Sequence, residues 1–181
     1  MARPREFDTN TALNGAMDVF WELGYEGASL PDLLGGMKLT RGSLYKAFKD
    51  KKSLFLTILD RYEDAEVDAA VLFLSDDQVP NGWDRVMQVM ESIPKTVAAG
   101  DQRGCLLCSA AAGPASYDAE IAAQVHKSLN KMRDAFRTAL GNDTLSALLL
   151  THYVGLRILS RSGSTVQELQ DSVAALQALK P

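Results

Sequence analysis

The sequence predicts an all-α protein with about nine helices, because apolar residues recur at spacings of three and four along most of its length. Residues that favour helix N-caps, such as Asp8, Ser29 and Thr40, precede several of these stripes. The alternating pattern of a β-strand is absent from the 181 residues. We expect two parts, a three-helix N-terminal domain over residues 1–50 and a larger helical domain over residues 51–181.

The first helix is predicted to begin after Asp8 and to end at Gly24, a residue type suited to a helix C-terminus. Its apolar stripe consists of Leu13, Ala16, Met17, Phe20 and Leu23. The arm before this helix carries Arg3 and Arg5, which are candidates for contacting a phosphate or the minor groove of DNA. The alternative for the arm is a frayed terminus.

The segment 29–51 predicts two short helices joined by a tight turn, followed by the start of a third. Ser29 and Asp32 have the spacing of a capping box, and Pro31 falls in the first turn. Thr40 and Asp50 are the N-caps expected for the next two helices. Two helices joined by such a turn form a helix-turn-helix, whose second helix can enter a DNA major groove.

The second of these helices carries side chains suited to DNA binding. Leu44 and Phe48 can face a small core, which leaves the polar residues outward. Gly42 removes bulk where a phosphate backbone could approach, and Tyr45 offers a hydroxyl to a phosphate oxygen. The small, polar and basic candidates of the segment are Ser29, Thr40, Arg41, Gly42, Ser43, Tyr45, Lys46, Lys49 and Lys51. The alternative is a helical core with a solvated polar face.

Residues 12–59 resemble the DNA-binding domain of the TetR family of bacterial transcriptional regulators. Most of the resemblance lies in the segment Arg41-Gly42-Ser43-Leu44-Tyr45-Lys46-Ala47-Phe48. The resemblance implies a homodimer that binds a palindromic operator in double-stranded DNA and releases it when a small molecule occupies the C-terminal domain. The sequence departs from the family pattern at Gly35 and Gly36, where alanines are common, and at Lys38, where glycine is common. A positive φ at Lys38 would be strained.

The helix that starts at Lys51 is predicted to continue to Leu72 and so to enter the second domain. The resemblance implies that this helix links an effector site to the recognition helix. The remaining helices are predicted over residues 83–97, 105–112, 118–140, 145–160 and 165–179.

The last two helices are predicted to form a dimer interface with the same helices of a second chain. Val166, Leu169, Val173 and Leu176 have the spacing of a coiled-coil seam. Gly155, Leu156 and Leu159 lie in a stretch that resembles the dimerisation helices of the family. The alternative is that both helices close the core of their own subunit.

Cys105 and Cys108 are candidate reactive thiols, three residues apart on one helix face. Cys105 lies at a predicted helix N-terminus, where the helix dipole and the nearby Arg103 would lower its pKa. The run Arg103-Gly104-Cys105-Leu106 resembles a TetR branch in which some members sense electrophiles or oxidants through this cysteine. The alternative is that both cysteines pack as small apolar side chains.

An effector that binds reversibly would occupy a pocket among the helices of the second domain. The aromatic, methionine and histidine candidates for its lining are Tyr62, Phe73, Trp83, Met87, Met90, Met132, His152 and Tyr153. The alternative for most of them is ordinary core packing. His126 and His152 lack partners at the spacing of metal ligands, so we expect neither a metal nor a cofactor.

The net charge of −4 argues against a generic nucleic-acid coat protein, although a local basic patch suffices for a sequence-specific reader. Nucleophile elbows, phosphate-cradling loops and metal-binding helices are missing, so we do not expect an enzyme. A thiol-disulfide enzyme using Cys105 and Cys108, or a helical protein-interaction module, are the alternatives. Residues 1–10 contain no apolar signal segment, and no apolar stretch is long enough to span a membrane, so we expect a cytoplasmic protein.

Overall fold

A computed structural model describes residues 8–180, and all regular structure within this range is helical. The helices are α1 Thr9–Gly27, α2 Leu30–Met37, α3 Arg41–Ala47, α4 Lys51–Tyr62, α5 Asp68–Leu74, α6 Gly82–Ala98, α7 Leu106–Ala112, α8 Ala119–Leu140, α9 Asp143–Arg161 and α10 Val166–Gln177. A π-helical turn, Glu63–Val67, joins α4 to α5 without a break, and a 3-10 turn, Pro114–Tyr117, precedes α8. The predicted all-α class is confirmed, and with α4 and α5 taken as one helix the described range holds the nine that were predicted.

The four N-caps predicted from the sequence are present. Each of these side chains accepts a hydrogen bond from a backbone N–H of the following turn, and they are Asp8, Ser29, Thr40 and Asp50. Ser29 and Asp32 form the reciprocal capping box. Because an N-cap of this kind contributes about 1 kcal/mol, the helix starts of the N-terminal domain are fixed locally.

Helix α1 breaks at Gly24, as predicted, although one more helical turn follows and extends it to Gly27. Gly24 has φ 74° and ψ 173°, a backbone conformation that is essentially restricted to glycine. Carbonyl groups in the turn before such a break lack the N–H donors of a continuing helix.

Two apolar cores run through the described chain. The first contains Phe20, Leu44 and Phe55 from the N-terminal helices and extends to Leu106 in α7 and Val125 in α8. The second lies among α6, α8, α9 and α10, and its larger members are Trp83, Met90, Phe136, Leu156 and Leu169. The first core contains residues from both sides of residue 50, such as Leu44 and Phe55. The division of the chain into two domains at that residue therefore stays a prediction.

Four residues predicted at a dimer interface belong to the second core instead. Leu156, Leu169, Val173 and Leu176 are all buried against other residues of their own chain. The prediction that they face a partner is therefore wrong, because a/d spacing defines an apolar face but not what covers it. Leu159 is 45% exposed, and an added Cβ at Gly155 would meet no atom within 4 Å, so these two remain on the outside. Val166 is partly buried at the edge of the second core.

The π-helical turn lies within the long helix, between α4 and α5, where this helix packs beside α8. Its first residue, Glu63, is buried and accepts hydrogen bonds from Ser128 Oγ at 2.5 Å and Lys131 Nζ at 3.1 Å, both on α8. Turns of this kind are frequent at functional sites. The turn fastens the long helix to α8.

Candidate DNA-binding surface and thiol site

Helix α3 presents one exposed face and one anchored face. Leu44 is buried in the first core and Phe48 packs partly against it, which leaves the other side of the helix in solvent. The exposed residues include Arg41, Gly42, Tyr45 and Lys46, and Tyr45 is 47% exposed.

The other candidate DNA-binding residues differ in their exposure. Ser43 is partly buried and hydrogen-bonds through its Oγ to Thr40 Oγ1 at 3.0 Å, while Lys49 is exposed. Ser29 is exposed at the N-cap of α2. Arg3 and Arg5 fall outside the described residues.

Arg41 and Lys51 both lie near aromatic rings. The Arg41 guanidinium lies 5.8 Å from the ring centre of Tyr45 on the next turn. Lys51 begins α4, and its Nζ lies 4.8 Å from the ring centre of Tyr25. Burial lowers the pKa of Lys51. Each cation is thus positioned by an aromatic ring, Arg41 on α3 and Lys51 at the start of α4.

In the turn between α2 and α3, Lys38 adopts the positive φ that is strained for a residue with a Cβ. Lys38 has φ 53° and is the one non-glycine residue with positive φ in the described range. Its N–H donates to the Gly35 carbonyl at 3.2 Å, and the Leu39 N–H donates to the Leu34 carbonyl at 3.1 Å. This pair of bonds is a Schellman motif, which fixes the direction in which the chain enters α3.

Cys105 and Cys108 are both buried in the first core, with Cys105 at the N-cap of the short helix α7. A hydrogen bond from the Cys108 thiol lowers the pKa of Cys105 to about 6 despite burial, and the positive charge of Arg157 and the Tyr62 hydroxyl act in the same direction. That hydrogen bond and burial raise the pKa of Cys108, which therefore stays a thiol. The opposite pKa shifts make Cys105 the thiol of the pair that ionises first.

The sequence suggested that Arg103 supplies the positive charge beside Cys105. In the structure this charge comes from Arg157 instead. Arg103 instead pairs with Asp101 at 2.9 Å and Asp18 at 3.2 Å, and its guanidinium lies 4.1 Å from the ring centre of Trp21. Arg157 was missed, although a charged residue inside the apolar stretch of α9 is a signal that could have found it.

The loop before the thiols packs directly on α9. Gly104 has φ 70°, and an added Cβ there would lie 2.5 Å from the Arg157 carbonyl oxygen. Only glycine allows this approach. Cys105 is thus held against Arg157 by backbone contact as well as by charge.

The candidates for an effector pocket divide between the two cores. Tyr62 belongs to the first core with the two cysteines. Tyr153 hydrogen-bonds to Arg157, whose charge also acts on Cys105. Trp83, Met87, Met90 and Met132 are buried members of the second core, and Phe73 packs against it.

His152 belongs to neither core. It is partly buried, its Nε2 makes no hydrogen bond within the described chain, and burial lowers its pKa. The structure therefore brings Tyr62, Tyr153 and the thiols together but does not gather all ten candidates around one cavity.

Neither a metal-ligand cluster nor a membrane-spanning helix is found in residues 8–180. No three His, Cys, Asp or Glu side chains come together there in a way that could hold a metal ion. None of the helices in that range is both long and apolar enough to cross a bilayer.

Comparison with known proteins gives matches over the N-terminal domain and over the whole chain. Residues 12–58 match the family model described as bacterial regulatory proteins, tetR family. The chain is 30% identical to the uncharacterized HTH-type transcriptional regulator YezE of Bacillus subtilis (strain 168), over 96% of this chain and 96% of that protein. It is 28% identical to the HTH-type transcriptional repressor BdcR of Escherichia coli (strain K12), over 98% and 92% of the two chains.

Solved structures share the arrangement of helices. A cysteine-substituted form of the TetR family regulator CifR, complexed with 26-base-pair operator DNA, has a TM-score of 0.87 and 27% identity over 99% of this chain and 100% of its own. The reduced form of NemR from E. coli has a TM-score of 0.82 over 95% and 97% of the two chains, and at 17% identity it supports the fold alone. Together with the full-length relatives, these matches show that the chain is not an enzyme and belongs to the TetR family of bacterial transcriptional regulators.

Proposed function

We propose that the protein is a repressor that binds a palindromic operator as a homodimer and releases it when a small molecule binds or when Cys105 is modified. The exposed face of α3 is the observation that carries this proposal, because it presents Arg41, Tyr45 and Lys46 to solvent from a helix anchored by Leu44. CifR, whose fold matches along nearly the whole chain, was solved on operator DNA. A recognition helix of this kind reads the major groove.

The side chains around α3 suggest a division of roles. Tyr45 and Lys51 suit phosphate contacts, because one offers a hydroxyl donor and the other is a cation at the N-terminus of a helix. Arg41, Ser43 and Lys46 lie on the recognition helix itself and suit base edges. Phosphate contacts fix position on the duplex, whereas base contacts select the sequence.

The homodimer would form through the outer face of α9. Leu148 and Leu159 are each 45% exposed, and they lie three turns apart on the same face as Gly155. Exposed leucines on one helix face are typical of an interface. A second copy of α9 would cover them and set two recognition helices about one duplex turn, ~34 Å, apart or a multiple of it.

Modification of Cys105 would act through volume and charge. Cys105 is 3% exposed and lies in a packed core, so an added group forces its neighbours to move. One neighbour is Tyr62, the last residue of α4, which leads back to the recognition helix. Loss of the thiolate would also remove the negative partner of Arg157.

A titration tests the proposal. Purified protein is titrated with its own upstream intergenic DNA at a fixed salt concentration, untreated and after N-ethylmaleimide. We expect a specific complex that treatment dissociates, with the response lost in Cys105→Ser and kept in the matched control Cys108→Ser. Binding no tighter than to scrambled DNA would refute the regulator proposal, and an unchanged response in Cys105→Ser would remove the thiol from it.

A protein that acts on bacterial operators would work in the cytoplasm.

A further inference from the structure

Arg161 holds the last turn of α1 before the break at Gly24, although it lies 140 positions after Trp21 in the chain. Arg161 Nη1 donates to the Trp21 carbonyl at 2.7 Å, and Nη2 donates to the Glu22 carbonyl at 2.7 Å. Nη1 also donates to the Arg103 carbonyl at 3.0 Å. One guanidinium therefore joins three elements, namely α1 of the N-terminal domain, the end of α9, and the segment 101–105 before α7, which we name the thiol loop.

The break at Gly24 explains why α1 needs such a partner. Carbonyls of the last turn before the break lack helical donors, and they carry the negative end of the helix dipole. A guanidinium supplies several donors in one plane together with a positive charge, so it can bond two adjacent carbonyls and a third group. A lysine at the same place would lack that planar fork.

The thiol loop is tied to α1 a second time, through its own side chain. The Arg103 guanidinium lies 4.1 Å from the ring centre of Trp21 and pairs with Asp18 at 3.2 Å. Arg157, which sets the charge around Cys105, lies one turn before Arg161 on α9. A shift of the thiol loop would therefore change both contacts that the loop shares with α1.

Movement of α1 is passed on to the DNA-binding face through backbone contact. An added Cβ at Gly15 on α1 would lie 2.0 Å from the Gly36 carbonyl oxygen on α2. Helix α2 leads into α3 through the fixed Schellman turn at Lys38. With so little room between α1 and α2, the recognition helix must follow α1.

We propose that Arg161 is a positioning residue that couples the thiol loop to the orientation of α1, and through α1 to the recognition helix. This inference rests on the proposed function, since it names the residue through which the effector side reaches the operator side. The hydrogen bonds of Arg161 within residues 8–180 go to backbone carbonyls and not to either thiol. Its role is measured by the coupling ratio, the operator affinity of the untreated protein divided by that of the protein treated with N-ethylmaleimide.

Arg61 provides a matched control. It also reaches α1, donating from Nε to Asn14 Oδ1 at 3.0 Å and from Nη1 to Asn10 Oδ1 at 3.3 Å. It does so from α4, and none of its hydrogen bonds goes to the thiol loop. Arg61→Met therefore removes an arginine contact to α1 and leaves the link between α1 and the thiol loop in place.

The experiment compares the coupling ratio of wild type, Arg161→Met, Arg161→Lys and Arg61→Met. Allosteric coupling factors are commonly about 5- to 150-fold, and residues that carry coupling change such a factor by roughly 2- to 30-fold. We expect the ratio to fall toward one in Arg161→Met, to be intermediate in Arg161→Lys and to equal the wild-type value in Arg61→Met. A wild-type ratio in both Arg161 variants would overturn the inference, as would an equal loss in Arg61→Met. If Arg161→Met does not fold, Arg161→Lys decides in the same way.

Amide hydrogen exchange without DNA separates this inference from the proposed function. If wild-type protein shows no operator response, the proposed function fails, and exchange alone then decides the inference. We expect Arg161→Met to speed exchange both at residues 21–28 and in the thiol loop, and Arg61→Met to leave the thiol loop unchanged. Faster exchange confined to residues 21–28 in Arg161→Met would overturn the coupling.

Discussion

Gly15 and Gly36 bring α1 and α2 into backbone contact, since an added Cβ at Gly15 would lie 2.0 Å from the Gly36 carbonyl oxygen. An added Cβ at Gly36 would likewise meet Val19 Cγ2 at 2.6 Å and the Gly15 carbonyl oxygen at 2.8 Å. Gly35, the neighbouring departure from the family pattern, has no atom within 4 Å of such a Cβ. Close packing thus requires a glycine at Gly36, whereas the structure gives no reason for the glycine at Gly35.

This difference predicts opposite effects for two alanine substitutions. Gly36→Ala should lower the free energy of unfolding by about 1–3 kcal/mol through overpacking. Gly35→Ala should raise it by about 0.5–1 kcal/mol, because alanine is the better helix former. Denaturant unfolding of both variants measures the two values. Equal effects of the same sign would contradict the contact between α1 and α2.

Lys38 predicts a stabilising substitution in the turn before α3. Its φ of 53° is costly for a residue with a Cβ, so Lys38→Gly should raise the free energy of unfolding by about 1 kcal/mol. Lys38→Ala keeps the Cβ and loses the charge, so it serves as the control and should gain nothing. The same unfolding measurement distinguishes them, and a gain in both would trace the effect to charge.

The two proposed classes of DNA contact predict different phenotypes. Lys51→Ala should weaken binding about equally for all sequences and reduce the salt slope by about one, as for a phosphate contact. Arg41→Ala should change which bases are preferred. Lys95→Ala is a suitable control, since Lys95 lies on α6 and pairs with Glu91 at 3.2 Å. Binding to a panel of operator variants at several salt concentrations tests this, and altered base preference in Lys51→Ala would show that the roles are wrongly divided.

The pKa of Cys105 predicts the pH dependence of its modification. Since the thiolate is the nucleophile and its pKa is lowered to about 6, the alkylation rate should be half-maximal near that pH and level off above it. Arg157→Met should move the midpoint to higher pH, because the removed charge favours the thiolate. Arg103→Met is the control and should not move it, because Arg103 pairs with Asp18 and Asp101. Mass spectrometry of the labelled peptide follows each rate, and a shift in the Arg103 variant alone would reverse the assignment.

The two kinds of leucine near the C-terminus predict separate defects. Leu159→Glu places a charge on the exposed face of α9, so it should shift a homodimer toward monomer while the fold is kept. Leu169→Ala opens a cavity in the second core and should cost about 2–5 kcal/mol of stability. Sedimentation velocity and denaturant unfolding measure the two properties. A dimer unaffected by Leu159→Glu would exclude this face as the interface.

Local features of the fold were predictable from the sequence, whereas contacts between distant residues were not. Asp8, Ser29, Thr40 and Asp50 act on N–H groups two or three positions away, so their patterns in the sequence sufficed. The stripe of Leu169, Val173 and Leu176 was recognised, but its partner was not, since spacing does not say which surface covers an apolar face.

Arg41 and Lys46 were correctly predicted to face outward on α3, because the helical period alone determines that face, whereas Ser43 is partly buried beside Thr40. The bonds of Arg161 to Trp21 and Glu22 depend on how two domains pack, and no short-range pattern encodes that packing.

Titration of operator DNA tests the central claim most directly. Wild-type protein and an Arg41→Ala, Lys46→Ala double variant are titrated with the upstream intergenic DNA and with scrambled DNA of equal length at physiological salt. The proposed recognition by α3 predicts that wild type binds the intergenic DNA at least about 10³-fold more tightly than the scrambled DNA, and that the double variant loses most of this preference. Equal wild-type affinity for both DNAs, or a preference unchanged in the double variant, would contradict it.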